Sequence, residues 1–340
     1  MVMKDKLFME LDKIDLKPLP SDHIRIRVYR SGICGTDIEL FKGTMPYLET
    51  SRISYPIVAG HEWAGKVVKT GSGVTDINID DRVSGELHIG CGVCSNCKKG
   101  QYNACLNIKR IGIGDVPGSF ARYIQLPRNL VYKLPNEIDY KKGALIEPTA
   151  VALKGVNCIN FNGGERVIVF GTGAIGLMAA NICRVYGAGE IVLVGSKHRL
   201  LKKEIGHKLG ADQFITFDKL TQDMDNDFDI AVEASGSNKV ISTMLDLVKP
   251  GGQISLLGIA DKLVSGIDIS RIATKNFSIY GSLGSAGVWE NVINLMKRGN
   301  LKPELLVTHE FEFENLGEVL KNIERLKDDG LIKASIIIGG

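Results

Sequence analysis

The segment RVIVFGTGAIGLMAA, residues 166–180, decides the fold. After Arg166, the apolar run Val167, Ile168, Val169 and Phe170 reads as a buried β-strand. The glycine turn GTGAIG follows. Beyond it, Ile175, Met178, Ala179, Ile182 and Val185 recur at helical spacing. The three glycines have separate uses in a strand–turn–helix unit. Gly171 permits the tight turn, Gly173 lets the backbone approach a pyrophosphate, and Gly176 lets helix and strand pack closely. The helix start at Ala174 and Ile175 then offers free N–H groups and partial positive charge to the phosphates.

Working outward, strand-like runs alternate with helical ones: EIVLV (190–194), DQFITF (212–217), DIAVE (229–233), QISLLG (253–258) and FSIYG (277–281). With the first, they predict a parallel six-stranded, doubly wound sheet of the dinucleotide-binding kind, the class being α/β. Strand 190–194 bears on the cofactor. An NAD site usually ends this strand with an acid that grips the ribose 2′-hydroxyl. Here the chain continues GSKHR, with Ser196, Lys197 and Arg199 where a 2′-phosphate would lie. A hydroxyl and cations attract a phosphate that an acid would repel. NADP(H) is therefore expected, with NAD(H) as the lesser alternative.

Residues 21–150 read differently. Short runs such as HIRIRVYR, GKVVKT and RYIQLP, broken by Gly, Pro and Asp, predict a β-rich domain. Within it, CGVCSNCKKGQYNAC (91–105) places Cys91, Cys94, Cys97 and Cys105 on one short loop. Four thiolates make a closed tetrahedral zinc site with no position for substrate, so this site is for shape. Chemistry needs an open metal site. The candidate ligands are Cys34 in SGICGTD, His61 and Glu62 in AGHEWAG, and Glu147 in ALIEPTA. After residue 285, VWENVINLMKRG reads as a helix with a stripe of Val288, Val292, Leu295 and Met296. The tail ASIIIGG reads as a strand returning to the first domain's sheet.

Composition narrows the function. The chain has 340 residues, 44% hydrophobic and 24% charged, with a formal net charge of +3. That suits a two-domain globular enzyme. It has no basic run suited to nucleic acid and no apolar stretch long enough for a membrane span. The charged first residues lack the core of a secretory leader, so a cytoplasmic setting is expected. In a reducing compartment clustered cysteines are metal ligands more often than disulfides.

Taken in order, GICGTD (32–37), GHEWAG (60–65), the four-cysteine loop, IEP (146–148), GTGAIG (171–176) and VEASGS (232–237) resemble the zinc-containing medium-chain dehydrogenases. That family includes alcohol, sorbitol, threonine and glucose dehydrogenases. The resemblance implies a GroES-like β-rich catalytic domain from residues 1–150 and 286–340, split around a Rossmann domain at 151–285. It implies two zinc ions per chain, with Cys34 and His61 on the catalytic one and either Glu62 or Glu147 as the variable third ligand. It gives Asp37 the role of orienting the zinc histidine and Thr36 that of passing the alcohol proton. Many relatives carry a histidine three residues after Thr36, where this chain has Glu39. Glu233 of VEASGS joins the cofactor-side residues, and the nicotinamide is expected near Leu257, Ile259, Ser282 and Leu283, at the carboxyl ends of late strands.

The expected reaction is hydride exchange between NADP(H) and a small secondary alcohol or ketone of a polyol, sugar or aminocyclitol. The alternatives are a simple alcohol or a threonine-like amino alcohol. Tyr47, Trp63 and Arg110 are open between lining the substrate pocket and packing. A homodimer or homotetramer is expected by analogy. A catalytically silent NADPH-binding protein is the competing class.

Overall fold

The computed structural model describes residues 1–195, 200–259 and 267–339. The chain forms two compact units. One comprises Met1–Glu147, Trp289–Lys297 and Val307–Gly340; the other comprises Pro148–Val288 and Arg298–Leu306.

The first unit is built on a seven-stranded sheet. Its main path runs Val307–Glu312, Lys333–Ile337, His23–Gly32, Glu62–Thr70, Arg82–Gly85 and Val131–Lys133, and Tyr123–Pro127 also pairs with His23–Gly32. Ile24, Ile26 and Val28 alternate inward along the central strand and pack with Trp63, Val67 and Val83. This period-two pattern fixes the register, because a one-residue slip would expose the whole set.

That register places the chemistry. Gly32 pairs with Glu62 on one side and with Ser335 on the other. Cys34 lies two residues beyond Gly32, and Lys333 two residues before Ser335. The three side chains therefore collect at one end of three adjacent strands. Gly32 must lack a side chain, since a Cβ there would fall 2.1 Å from a Glu62 carboxylate oxygen.

The second unit is the parallel six-stranded sheet that the sequence predicts. Its order is Gln213–Thr216, Glu190–Gly195, Arg166–Phe170, Phe228–Glu233, Val248–Leu256 and Ser278–Gly281. The chain thus reverses direction beside the strand that carries the glycine loop, where such sheets bind ligands.

Local differences have physical reasons. The fifth strand begins at Val248 rather than 253, running through Pro250–Gly251–Gly252 with a register irregularity against Phe228–Ile230. The helix Ala174–Val185 is buried on more than one face, because Leu177, Ala180 and Cys183 are covered as well as the expected stripe. The tail strand joins the first sheet as expected. It also pairs in parallel with Val307–Glu312, a strand the periodicity did not mark because none of its residues is fully buried. Among the described residues, no helix is long and apolar enough to cross a membrane.

Candidate functional site

Three ligand-bearing side chains meet in the first unit. Cys34, His61 and Glu62 each place a donor atom within 4.8 Å of the others'. Cys34 sits immediately before the helix Gly35–Lys42, and His61 immediately before the strand Glu62–Thr70. Asp37 ties these two points together. It is fully buried, and its carboxylate accepts from the Cys34 N–H at 2.8 Å and the Gly60 N–H at 3.0 Å. Its Oδ1 lies 3.7 Å from His61 Nδ1, a buried nitrogen with no hydrogen-bond partner among the described residues.

The pocket is hostile to free charge. Burial, followed by the nearby Glu62, pushes the Cys34 thiol up to about 12. Burial likewise raises Asp37. Glu147, in the first turn of the helix Ile146–Val156, is raised to about 8. Burial is the main cause, with Glu62 and Cys34 adding to it and His61 opposing it. A divalent cation would reverse this logic by stabilising thiolate and carboxylate at once. The donor set of one sulfur, one imidazole nitrogen and carboxylate oxygens is that of an open zinc site. The orphaned His61 nitrogen fits the same reading.

A lysine that sequence reading missed completes the cluster. Lys333 is 5% exposed, and its Nζ donates to Glu62 Oε1 at 2.6 Å, Glu62 Oε2 at 2.8 Å and the Ile33 carbonyl at 3.1 Å. Burial alone would lower its pKa, but attraction to Glu62 and Cys34 outweighs that and holds it above the usual lysine value. Glu147 makes no ion pair among the described residues and lies outside the three-residue donor group. Thr36 is half-exposed in the first turn of its helix. Glu39 lies three residues on, on the same face.

The four-cysteine loop closes on itself. Cys91 and Cys97 sulfurs are 4.0 Å apart and those of Cys94 and Cys105 3.8 Å, all four lying within 4.8 Å of one another. A disulfide needs about 2.05 Å. The edge of a tetrahedron with zinc–sulfur bonds of about 2.3 Å is about 3.8 Å. Backbone N–H groups of Cys91, Cys94 and Cys97 donate to the sulfurs of Cys105, Cys91 and Cys94, which favours thiolates.

In the second unit, a Cβ on Gly173 would meet nothing within 4 Å, whereas one on Gly176 would fall 2.0 Å from the Gly171 carbonyl oxygen. The two glycines therefore predict opposite defects. Gly176→Ala is expected to lower stability by roughly 1–3 kcal/mol through overpacking. Gly173→Val is expected to keep the unfolding midpoint yet weaken reduced-cofactor binding by roughly tenfold or more. Thermal melts and fluorescence titration check both.

The Glu233 carboxylate faces its own turn, accepting from Ser235 N at 2.6 Å, Ser235 Oγ at 2.5 Å and Gly236 N at 3.0 Å. It shapes the loop opposite the glycine turn. Leu257 packs over Gly155, while Ile259 and Leu283 are exposed. Ser282 Oγ is buried and has no hydrogen-bond partner among the described residues. Ser196, Lys197 and Arg199 lie outside the described residues. Of the three residues left open between pocket and packing, Trp63 is fully buried in the core of the sheet, whereas Tyr47 and Arg110 lie together.

Comparison with known proteins agrees with this geometry. Residues 20–136 match the alcohol dehydrogenase GroES-like domain, and residues 174–298 match the zinc-binding dehydrogenase family. The chain is 34% identical over 321 residues to L-threonine 3-dehydrogenase of Francisella philomiragia, covering 89% of this chain and 90% of that one. It is 28% identical over 329 residues to sorbitol dehydrogenase of Bacillus subtilis, covering 94% and 92%. The crystal structure of a protein described as a zinc-binding dehydrogenase from Sinorhizobium meliloti 1021, bound to NADP, superposes with a TM-score of 0.89 at 25% identity, covering 99% and 98%. With two family models in the expected order and full-length relatives on both sides, the chain belongs to the zinc-type medium-chain dehydrogenase/reductase family and is a dehydrogenase.

Proposed function

We propose that the protein oxidises a secondary alcohol of the polyol, sugar or amino-alcohol kind, reversibly, with NADP as hydride acceptor. The observation that carries this reading is the Cys34–His61–Glu62 donor cluster, with His61 and Glu62 buried, joined to Asp37. Cys34 and His61 would hold the catalytic zinc. Lys333 already holds both Glu62 oxygens, so Glu62 serves as a tethered counter-charge and Glu147 supplies the further carboxylate. When bound, zinc lowers the pKa of a substrate hydroxyl, and NADP takes the hydride. The chain's own part is orientation and proton handling. Asp37 fixes the loops bearing Cys34 and His61, Thr36 receives the hydroxyl proton, and Glu39 on the same helix face passes it outward. Cys91, Cys94, Cys97 and Cys105 would hold a second, structural zinc.

The NADP preference rests on Ser196, Lys197 and Arg199, on the missing acid after strand Glu190–Gly195, and on the NADP-bound relative. Sorbitol, butane-2,3-diol and L-threonine, assayed with each cofactor, test the reading. The expected result is turnover of at least one with kcat/KM for NADP at least about tenfold above that for NAD, a gap that Arg199→Gln closes by about tenfold. Equal use of both cofactors would remove the NADP assignment. Absence of turnover with all three would count against this substrate range.

A further inference from the structure

Arg110, distant in sequence from Tyr47, meets the Tyr47 ring, which a third residue, Arg52, also approaches. The Arg110 guanidinium carbon lies 5.0 Å from the Tyr47 ring centre, and the Arg52 guanidinium carbon lies 5.0 Å from the same centre. The fold builds this arrangement. Arg52 is delivered by a turn in which its N–H donates to the Tyr47 carbonyl at 2.9 Å and that of Ile53 at 3.2 Å. Arg110 is delivered by the short strand Lys109–Arg110, paired with His88–Ile89, and its N–H donates to Asp115 Oδ2 at 2.9 Å. The two loops are locked, because Ile53 fills the space over Gly114, where a Cβ would fall 2.7 Å away.

The pair is cationic with donors to spare. A guanidinium offers five N–H donors in its plane, while the ring engages only its face. Asp115 stands 3.5 Å from one Arg110 nitrogen. Arg52 makes no ion pair among the described residues. The loop that carries Arg110 also packs on the backbone that leads into the donor cluster. Gly112, two residues past Arg110, lies against the Gly60 backbone just before His61, since a Cβ on Gly112 would fall 2.1 Å from the Gly60 carbonyl oxygen. Tyr47 packs on the core group that contains Ile33 and Ala59, which adjoin Cys34 and Gly60.

We propose that Arg52 and Arg110 form an anion subsite, so that the substrate is an alcohol carrying a carboxylate or a phosphate away from its reacting carbon. The proposal rests on the dehydrogenase reading and adds the substrate's charge to it. Planar guanidinium forks suit both oxyanions, and each charge-assisted contact is worth about tenfold or more in affinity.

The test is calorimetric titration of the zinc-loaded protein with three matched polyols: sorbitol, gluconate and sorbitol 6-phosphate. The expected result is that one anionic polyol binds at least about tenfold more tightly than sorbitol. Which one does so distinguishes carboxylate from phosphate. Arg52→Gln, at an exposed position where the fold is not at stake, and Arg110→Gln should each remove most of that preference. Equal affinity for all three polyols overturns the proposal, as does a preference that survives in the double variant. Preferential binding without cofactor reduction would support the subsite while counting against the dehydrogenase reading, so the two can fail separately.

Discussion

Replacing Cys34 with alanine is expected to cut turnover of every alcohol substrate by roughly 10³-fold or more, the several kcal/mol of Lewis-acid stabilisation that departs with the metal. Zinc content should fall from two ions per chain to one, while reduced-cofactor binding stays unchanged. The reasoning is local. Cys34 is partly buried, and desolvation followed by the nearby Glu62 raises its thiol to about 12, so a metal cation is what favours its thiolate. Removing the sulfur leaves His61 and carboxylates, too few strong donors to keep zinc in competition with water. The glycine loop lies in the other unit and loses nothing. Metal analysis, steady-state rates and fluorescence titration of the reduced cofactor measure the three parts. Full turnover in the variant would contradict the assignment.

Lys333→Met is expected to destabilise the first unit by roughly 3–5 kcal/mol, the cost of breaking a buried ion pair from one side. Methionine fills nearly the same volume, so the loss reads charge rather than packing. Glu62 would keep a carboxylate with 1% exposure and no cation against it. The double variant Lys333→Met/Glu62→Gln removes both charges and should recover most of the loss, since replacing a buried pair with neutral groups is often close to neutral. Denaturant unfolding followed by a first-unit probe measures both. If the single and double variants are equally unstable, the pair has no coupling and Lys333 is merely filling space. Zinc affinity supplies a second readout. If Lys333 tethers Glu62, the single variant frees that carboxylate toward the metal and alters zinc release under chelation.

Much of this was legible in the sequence because it is written in local spacing. The glycine turn after an apolar strand declared the parallel sheet, and four cysteines within fifteen positions pointed to the loop on which the fold gathers their sulfurs. Cys34, His61 and Glu62 were visible as donors by residue type, and the sheet register brings them together. What stayed hidden depends on long-range pairing. Lys333 is separated from Glu62 by 271 residues and opens a short strand, where it reads as an ordinary edge charge. Arg52 gave no signal, since only the turn from Tyr47 brings it to the ring that Arg110 also meets. Trp63 stood in a motif that invited a pocket role, and its burial against Ile24 and Val83 makes it core.

The most direct test of the central claim, zinc-dependent hydride transfer by the Cys34–His61 cluster, is absorbance of the reduced cofactor as polyol, sugar-acid and amino-alcohol substrates are mixed with NADP, before and after chelation. The account predicts a signal that chelation abolishes and added zinc restores, in protein carrying two zinc ions per chain. A signal that persists after both zinc ions have been removed would contradict it.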